Sequence, residues 1–120
     1  MFSSDDLDLL AQEAEVDIET WPAPGRARRT TIWIVVVGGV PYVRSVRGSR
    51  GRWWRDLRAE PHGAIHAAGR RFEFLAVPAD DTASIAACTT ALEEKYAGVP
   101  GLEPMIRPDV LSATLRLEPA

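Results

Sequence analysis

The 120-residue sequence holds a single cysteine, Cys88, and a single lysine, Lys95. One cysteine excludes an intramolecular disulfide, and the expectation is a packed, reduced thiol in a cytoplasmic protein. Histidine is nearly as scarce. His62 and His66 have no companion cysteine and no second acid–histidine motif at metal spacing, so no zinc or iron site is expected. Long apolar runs are missing too. The longest, Ile32 to Val37, is far short of the roughly 20 residues that cross a bilayer, which excludes a membrane-spanning helix. No basic segment leading into an apolar stretch opens the chain, so no signal peptide is expected. Nucleophile elbows, metalloprotease helices, Walker loops and dinucleotide fingerprints are all absent, and no catalytic constellation takes their place.

What remains is the size and composition of a single domain, residues 1–120, with 46% hydrophobic and 26% charged residues. The net charge of −3 conceals a division along the chain. Residues 1–20 carry seven acids and no base, whereas residues 26–58 carry nine arginines against one acid, Asp56. The guanidinium fork binds phosphate or carboxylate through two parallel hydrogen bonds, so a cluster of arginines implies a nearby anion. That anion is a ligand, or it is the acidic N-terminal segment folded back.

Local patterning predicts about six strands and two or three helices. Phe2 to Ala14 reads as a helix with Ser3 as its cap and Asp6 completing a capping box. Val16 to Trp21 alternates as a half-buried strand. Arg26 to Arg29 form a basic approach to Thr30–Val37, which is apolar on both faces in its second half and is therefore expected at the centre of the sheet. Gly38-Gly39 signals a hairpin to Val40–Ser45. A glycine-punctuated loop then precedes a short helix from Gly51 to Arg58. Ala64–Ala68 and Arg71–Val77 form a second hairpin around Gly69-Arg70. Asp80 to Ala97 reads as a helix ending at Gly98. Pro100 to Pro108 is expected to be irregular apart from one turn around Met105, and Ser112 to Leu117 is a last strand. Strands joined by hairpins imply antiparallel pairing, and a small barrel flanked by helices fits the tally.

The Gly38-Gly39 hairpin places Arg26, Arg28 and Arg29 at the same end of the sheet as Arg44, Arg47, Arg50 and Arg52. Three uses of this edge stand open: a phosphorylated or polyanionic cofactor, a solvated face paired with the acidic segment, and nucleic acid. An acidic pI near 5.4 and the lack of a recognised binding motif argue against nucleic acid. Trp53 and Trp54 are adjacent and cannot point the same way, so one is expected in the core and the other free for a ligand or a second subunit.

The segments R-x-R-R-T-T-I-W, Y-V-R-S-V-R-G-S-R-G-R-W-W-R-D-L-R-A-E-P and G-R-R-F-E-F, in this order, resemble the flavin- and deazaflavin-binding split β-barrel proteins. More closely, they resemble a bacterial family of unknown function related to the deazaflavin-dependent nitroreductases. The likeness runs from Ile18 to Val77 and takes in the final T-L-R-L-E-P. It implies a mainly β (α+β) fold, a six-stranded antiparallel split β-barrel flanked by two or three helices. It also implies a homodimer with a cleft at its interface for FMN or a deazaflavin coenzyme, without a metal. On this likeness Arg29, Thr30, Thr31 and Trp33 lie near the cofactor ring, and Arg44, Ser45, Arg47 and Arg52 face its phosphate, with Trp54 as the ligand-side tryptophan. The implied activity is that of an oxidoreductase of unknown substrate. The alternative is a non-catalytic binder of another anion or a tetrapyrrole. Asp56 departs from the nitroreductase pattern, which has asparagine there, and its charge is expected to repel a phosphate.

Overall fold

The computed structural model describes residues 2–120. Its first element is helix α1, Ser4–Gln12. The capping box is complete: the Asp6 amide donates to Ser3 Oγ and the Ser3 amide donates to the Asp6 carboxylate, each at 3.0 Å. Seven strands follow: β1 (Val16–Ala23), β2 (Arg26–Ile32), β3 (Val35–Val37), β4 (Val40–Arg44), β5 (His62–Ala67), β6 (Arg70–Pro78) and β7 (Thr114–Pro119). They form one antiparallel sheet in the order β2-β1-β5-β6-β7-β4-β3. Between β4 and β5 lies helix α2, Arg52–Ala59. Helices α3, Thr82–Lys95, and α4, Leu102–Met105, separate β6 from β7. The fold is mainly β with helices added, as expected.

The strand count is seven rather than six, and the reason is local. The expected strand Thr30–Val37 begins earlier, at Arg26, and breaks after Ile32. Its first part pairs with β1 and its second with β4, at the opposite end of the strand order. One bent length of chain thus supplies both edges of the curled sheet. The backbone groups freed at the break do not go unmet, as burial requires. The Ile34 amide donates to Tyr96 Oη at 3.4 Å, and Lys95 Nζ donates to the Ile34 carbonyl at 2.7 Å. The residues just ahead of the break, Arg26 to Arg29, belong to β2 itself rather than to an approach segment.

The break also corrects the expected central position of the apolar strand, because β3 is an edge strand. It is apolar on both faces because α3 covers the outer one. Ile34 and Val43 enter the main core with Ile18, Ile65, Phe72, Phe74 and Leu115. Val35 and the partly buried Tyr42 pack instead with Cys88, Leu92, Tyr96 and Met105.

The Gly38-Gly39 turn forms as expected, with φ of +57° and +79°, where a side chain is strained. The second hairpin turns one residue earlier than predicted. It uses Ala68 (φ +51°) and Gly69, because Arg70 already pairs with Ala67.

Candidate functional site

Where the chain bends from β2 toward β3, the curl of the sheet brings β2 and the end of β4 to the border of one cavity. α2 lies across the inner face there. Thr20 of β1 donates to Asp56 of α2 at 2.8 Å, and Arg28 Nε of β2 sits 3.1 Å from the same carboxylate. These ties fix the helix over the strands. The unexpected Asp56 is therefore not a charge aimed at a ligand. It is the anchor of α2, neutralised by Arg28.

The cavity so framed has a volume of about 580 Å³, within the usual range for small-molecule sites. It gathers Arg29, Thr30, Thr31, Trp33, Arg44, Ser45, Arg47 and Arg52 of the predicted set. Arg28, Trp53, Gly51 and, from the α4 region, Gly101 and Met105 also line it. Five arginines border it against one acid, Glu15. Trp54 does not border it. Adjacent residues on a helix project about 100° apart, and on α2 it is the buried Trp53 that turns to the cavity. Trp54 packs against the main core, with the Arg58 guanidinium 5.4 Å from its ring centre.

The arginines are not equivalent. Arg29 pairs with Asp17 at 3.1 Å, and Thr31 Oγ1 donates to the same carboxylate at 2.8 Å. This is the pairing with the acidic segment that the sequence left open, and it engages Arg29 alone among the cavity arginines. Arg44 is 2% exposed and makes four hydrogen bonds within the protein. It donates to Thr114 Oγ1, Thr89 Oγ1 and the carbonyls of Met105 and Ile85, at 2.8 to 3.1 Å. Every one of these partners is neutral. Burial lowers the Arg44 pKa, yet a guanidinium stays charged, so Arg44 is a buried cation with no carboxylate at hand. Arg47 and Arg52 are exposed and have no acidic partner among the described residues.

Ser45 is 1% exposed, and its Oγ has no hydrogen-bond partner. It lies against Gly51, so close that a Cβ at Gly51 would collide with the Ser45 hydroxyl. Gly51 is also the N-cap of α2 and supplies no capping side chain. An orphaned buried hydroxyl and an uncapped helix start therefore adjoin at one wall of the cavity. Unpaired backbone amides at a helix start favour an anion.

Trp33 forms another wall. Its ring lies flat on Tyr96, with centroids 3.9 Å apart and planes 3° from parallel. Tyr96 is itself fixed by its hydroxyl, which donates to the Ala14 carbonyl at 2.8 Å. The cavity residues that sequence reasoning did not single out are mainly Glu15, Gly51, Gly101 and Met105. Gly51 was recognisable only as part of a glycine loop. Gly101 and Met105 come from a proline-spaced segment with no signal of its own.

Neither His62 nor His66 borders this cavity. Each faces a glutamate: His62 Nδ1 lies 2.7 Å from Glu60 and His66 Nε2 2.6 Å from Glu19. Among the described residues no group of three or more His, Cys, Asp or Glu side chains is placed to hold a metal ion, and no helix is long and apolar enough to cross a membrane.

Residues 6–117 match a bacterial family described as "uncharacterized protein conserved in bacteria (DUF2255)", and the chain belongs to that family. No curated protein matches it. Among solved structures the chain is similar to the heme storage protein HutZ of Vibrio cholerae. The identity is 16%, with 99% of this chain and 90% of the other covered and a TM-score of 0.71. It is also similar to a putative pyridoxamine 5'-phosphate oxidase of Listeria innocua, at 12% identity, 96% and 90% coverage and a TM-score of 0.70. An F420-H2-dependent reductase aligns at 17% identity, 88% and 95% coverage and a TM-score of 0.70. At such identities the likeness is one of fold.

Proposed function

Taking membership of that bacterial family as the premise, we propose that the protein binds a phosphorylated cofactor, FMN or a deazaflavin, in the 580 Å³ cavity and works as a homodimeric oxidoreductase. The observation that carries this reading is the buried Ser45 hydroxyl, unpartnered beside the uncapped start of α2. A buried polar group without a partner costs about 1–3 kcal/mol. An incoming phosphate oxygen gives Ser45 the acceptor it lacks. Arg47 and Arg52 flank this point with free guanidinium groups, and Arg44 adds an uncompensated positive charge behind it.

The flat ring lies toward Trp33 and the β2 residues Arg29, Thr30 and Thr31. Tyr96 holds the Trp33 ring in one orientation, and Asp17 does the same for Arg29 and Thr31. When bound, the cofactor supplies hydride transfer. The chain anchors the phosphate, orients the ring and keeps water from it. The reductase and the putative oxidase among the structural relatives support this class of ligand. HutZ raises the tetrapyrrole alternative, but neither histidine borders the cavity to serve as an axial ligand.

Titration of the purified protein with FMN and with a deazaflavin, followed by absorbance and fluorescence, tests the reading. Binding at tens of micromolar or tighter is expected. Arg47→Ala should weaken it by about 1–3 kcal/mol, the scale of a charge-assisted hydrogen bond. An unchanged dissociation constant removes Arg47 from the site, and absence of binding by either cofactor removes the reading. Turnover of an acceptor with the reduced cofactor separates an enzyme from a non-catalytic binder. Light scattering after gel filtration reports the dimer.

A further inference from the structure

A second hollow, of about 350 Å³, adjoins the first. Pro22, Arg28, Arg52, Arg55, Asp56 and Ala59 line it, and Arg28 and Arg52 border both spaces. The two hollows together are bordered by six arginines and two acids, Glu15 and Asp56. Asp17 neutralises Arg29 from outside, so a positive excess of about three charges remains. A phosphate monoester brings roughly −1.5 to −2 at neutral pH, which leaves part of that excess unmatched.

The two spaces also differ in kind. The first has Trp33 and Trp53 in its walls, whereas the second has no aromatic residue and suits a polar chain rather than a ring. Arg28 points to the same conclusion. Its Nε is buried and lies 3.1 Å from Asp56, but the angle makes no hydrogen bond. Arg55 is exposed, has no acidic partner among the described residues, and borders the second hollow alone.

We propose that the second hollow seats a second anionic group of the same ligand, a phosphodiester or carboxylate tail that continues outward from the phosphate held near Ser45. This rests on the reading of the first cavity as a phosphorylated-cofactor site. It makes Arg55 a residue that sets specificity: it distinguishes a cofactor with an anionic tail from one that ends in a single phosphate.

The test compares wild type, Arg55→Ala and Arg47→Ala. The probes are FMN, a deazaflavin cofactor whose phosphodiester tail carries glutamates, inorganic phosphate and tripolyphosphate. Arg55→Ala should weaken the tail-bearing cofactor on the order of tenfold, the scale of one charge-assisted hydrogen bond, and leave FMN unchanged. Arg47→Ala should weaken both. Equal losses for FMN and the tailed cofactor in Arg55→Ala, or no loss in either, overturn the second seat while the cofactor reading stands. Where neither cofactor binds, the ring-free probes decide. Tripolyphosphate binding more tightly than phosphate, with the gain erased by Arg55→Ala, upholds the second seat although the cofactor reading has failed. No gain over phosphate overturns it.

Discussion

Ser45 and Gly51 set each other's identity. The hydroxyl occupies the space a side chain at 51 would need, and it does so without a partner. In the free protein this is a cost, and removing the hydroxyl relieves it. Ser45→Ala should therefore raise stability by about 1–3 kcal/mol, the penalty of an unsatisfied buried polar group, while weakening FMN or deazaflavin binding. Thermal unfolding and titration of the same variant check both halves; a loss of stability would mean that Ser45 is already satisfied. At this scale the sequence was legible in residue type more than in orientation. Arg44 illustrates the limit. Its position after a strand and before a basic loop marks it as an anion contact. Only tertiary packing brings Thr114, Thr89, Met105 and Ile85 around its guanidinium, from 41 to 70 residues away along the chain.

α2 carries Trp53, Arg52 and Arg55 to the two hollows, and its placement depends on one carboxylate. Asp56 accepts from Thr20 and lies beside Arg28, so both strands of the β1–β2 hairpin hold the helix. Asp56→Ala leaves the Thr20 hydroxyl and the Arg28 guanidinium without their partner. It should cost about 1–3 kcal/mol. Asp56→Asn keeps an acceptor for Thr20, should cost less, and should strengthen binding of inorganic phosphate by removing a negative charge from the wall. Denaturant melts and phosphate titrations of the two variants separate anchoring from charge; identical behaviour would deny the distinction. The helix itself was readable from its pattern, but the meaning of Asp56 was not, because its partners come from strands 28 and 36 residues earlier. The Thr30–Val37 strand was misplaced for a similar reason. Its apolar faces reported burial correctly, while the cover on one face comes from α3, far downstream.

Across the whole molecule Arg28 and Arg29 of one basic stretch border the same cavity as Arg44, Arg47 and Arg52 of the other, while Arg26 and Arg50 do not, and the route differs from the hairpin argument. β2 and β4 are not paired through one continuous hairpin. They approach because the sheet curls and the strand between them bends at Trp33 and Ile34. On the outer face the acidic strand is bound across three strands: Arg71 bonds Glu19 at 3.1 Å and His66 closes on the same carboxylate. The Arg71 hydrogen bond first, and His66 second, hold the Glu19 pKa below its ordinary value. A depressed carboxylate contributes stability that is present above its unfolded value, about 4.3. That contribution is lost as pH falls through the folded value. Wild type should therefore lose stability on acidification below about pH 4.3, and Glu19→Gln should lose less over the same window. Melting temperatures measured across that window check it, and parallel curves would remove Glu19 as the source.

The place of β7 has a kinetic consequence. Residues 114–119 lie between β6 and β4, and among the described residues they alone join β2-β1-β5-β6 to β4-β3 by ladder hydrogen bonds. The hairpins β1–β2, β3–β4 and β5–β6 close over short turns, on a timescale of about 1–10 μs for such units. The seam between the two halves waits for β7, which follows the other six strands in the sequence. Until it enters, the β3–β4 hairpin joins β2 only through the bend at Trp33 and Ile34, and no ladder fixes the spacing of the cavity walls. A ligand of this cavity therefore has nothing firm to grip before β7 has docked. It can select and stabilise only the finished fold.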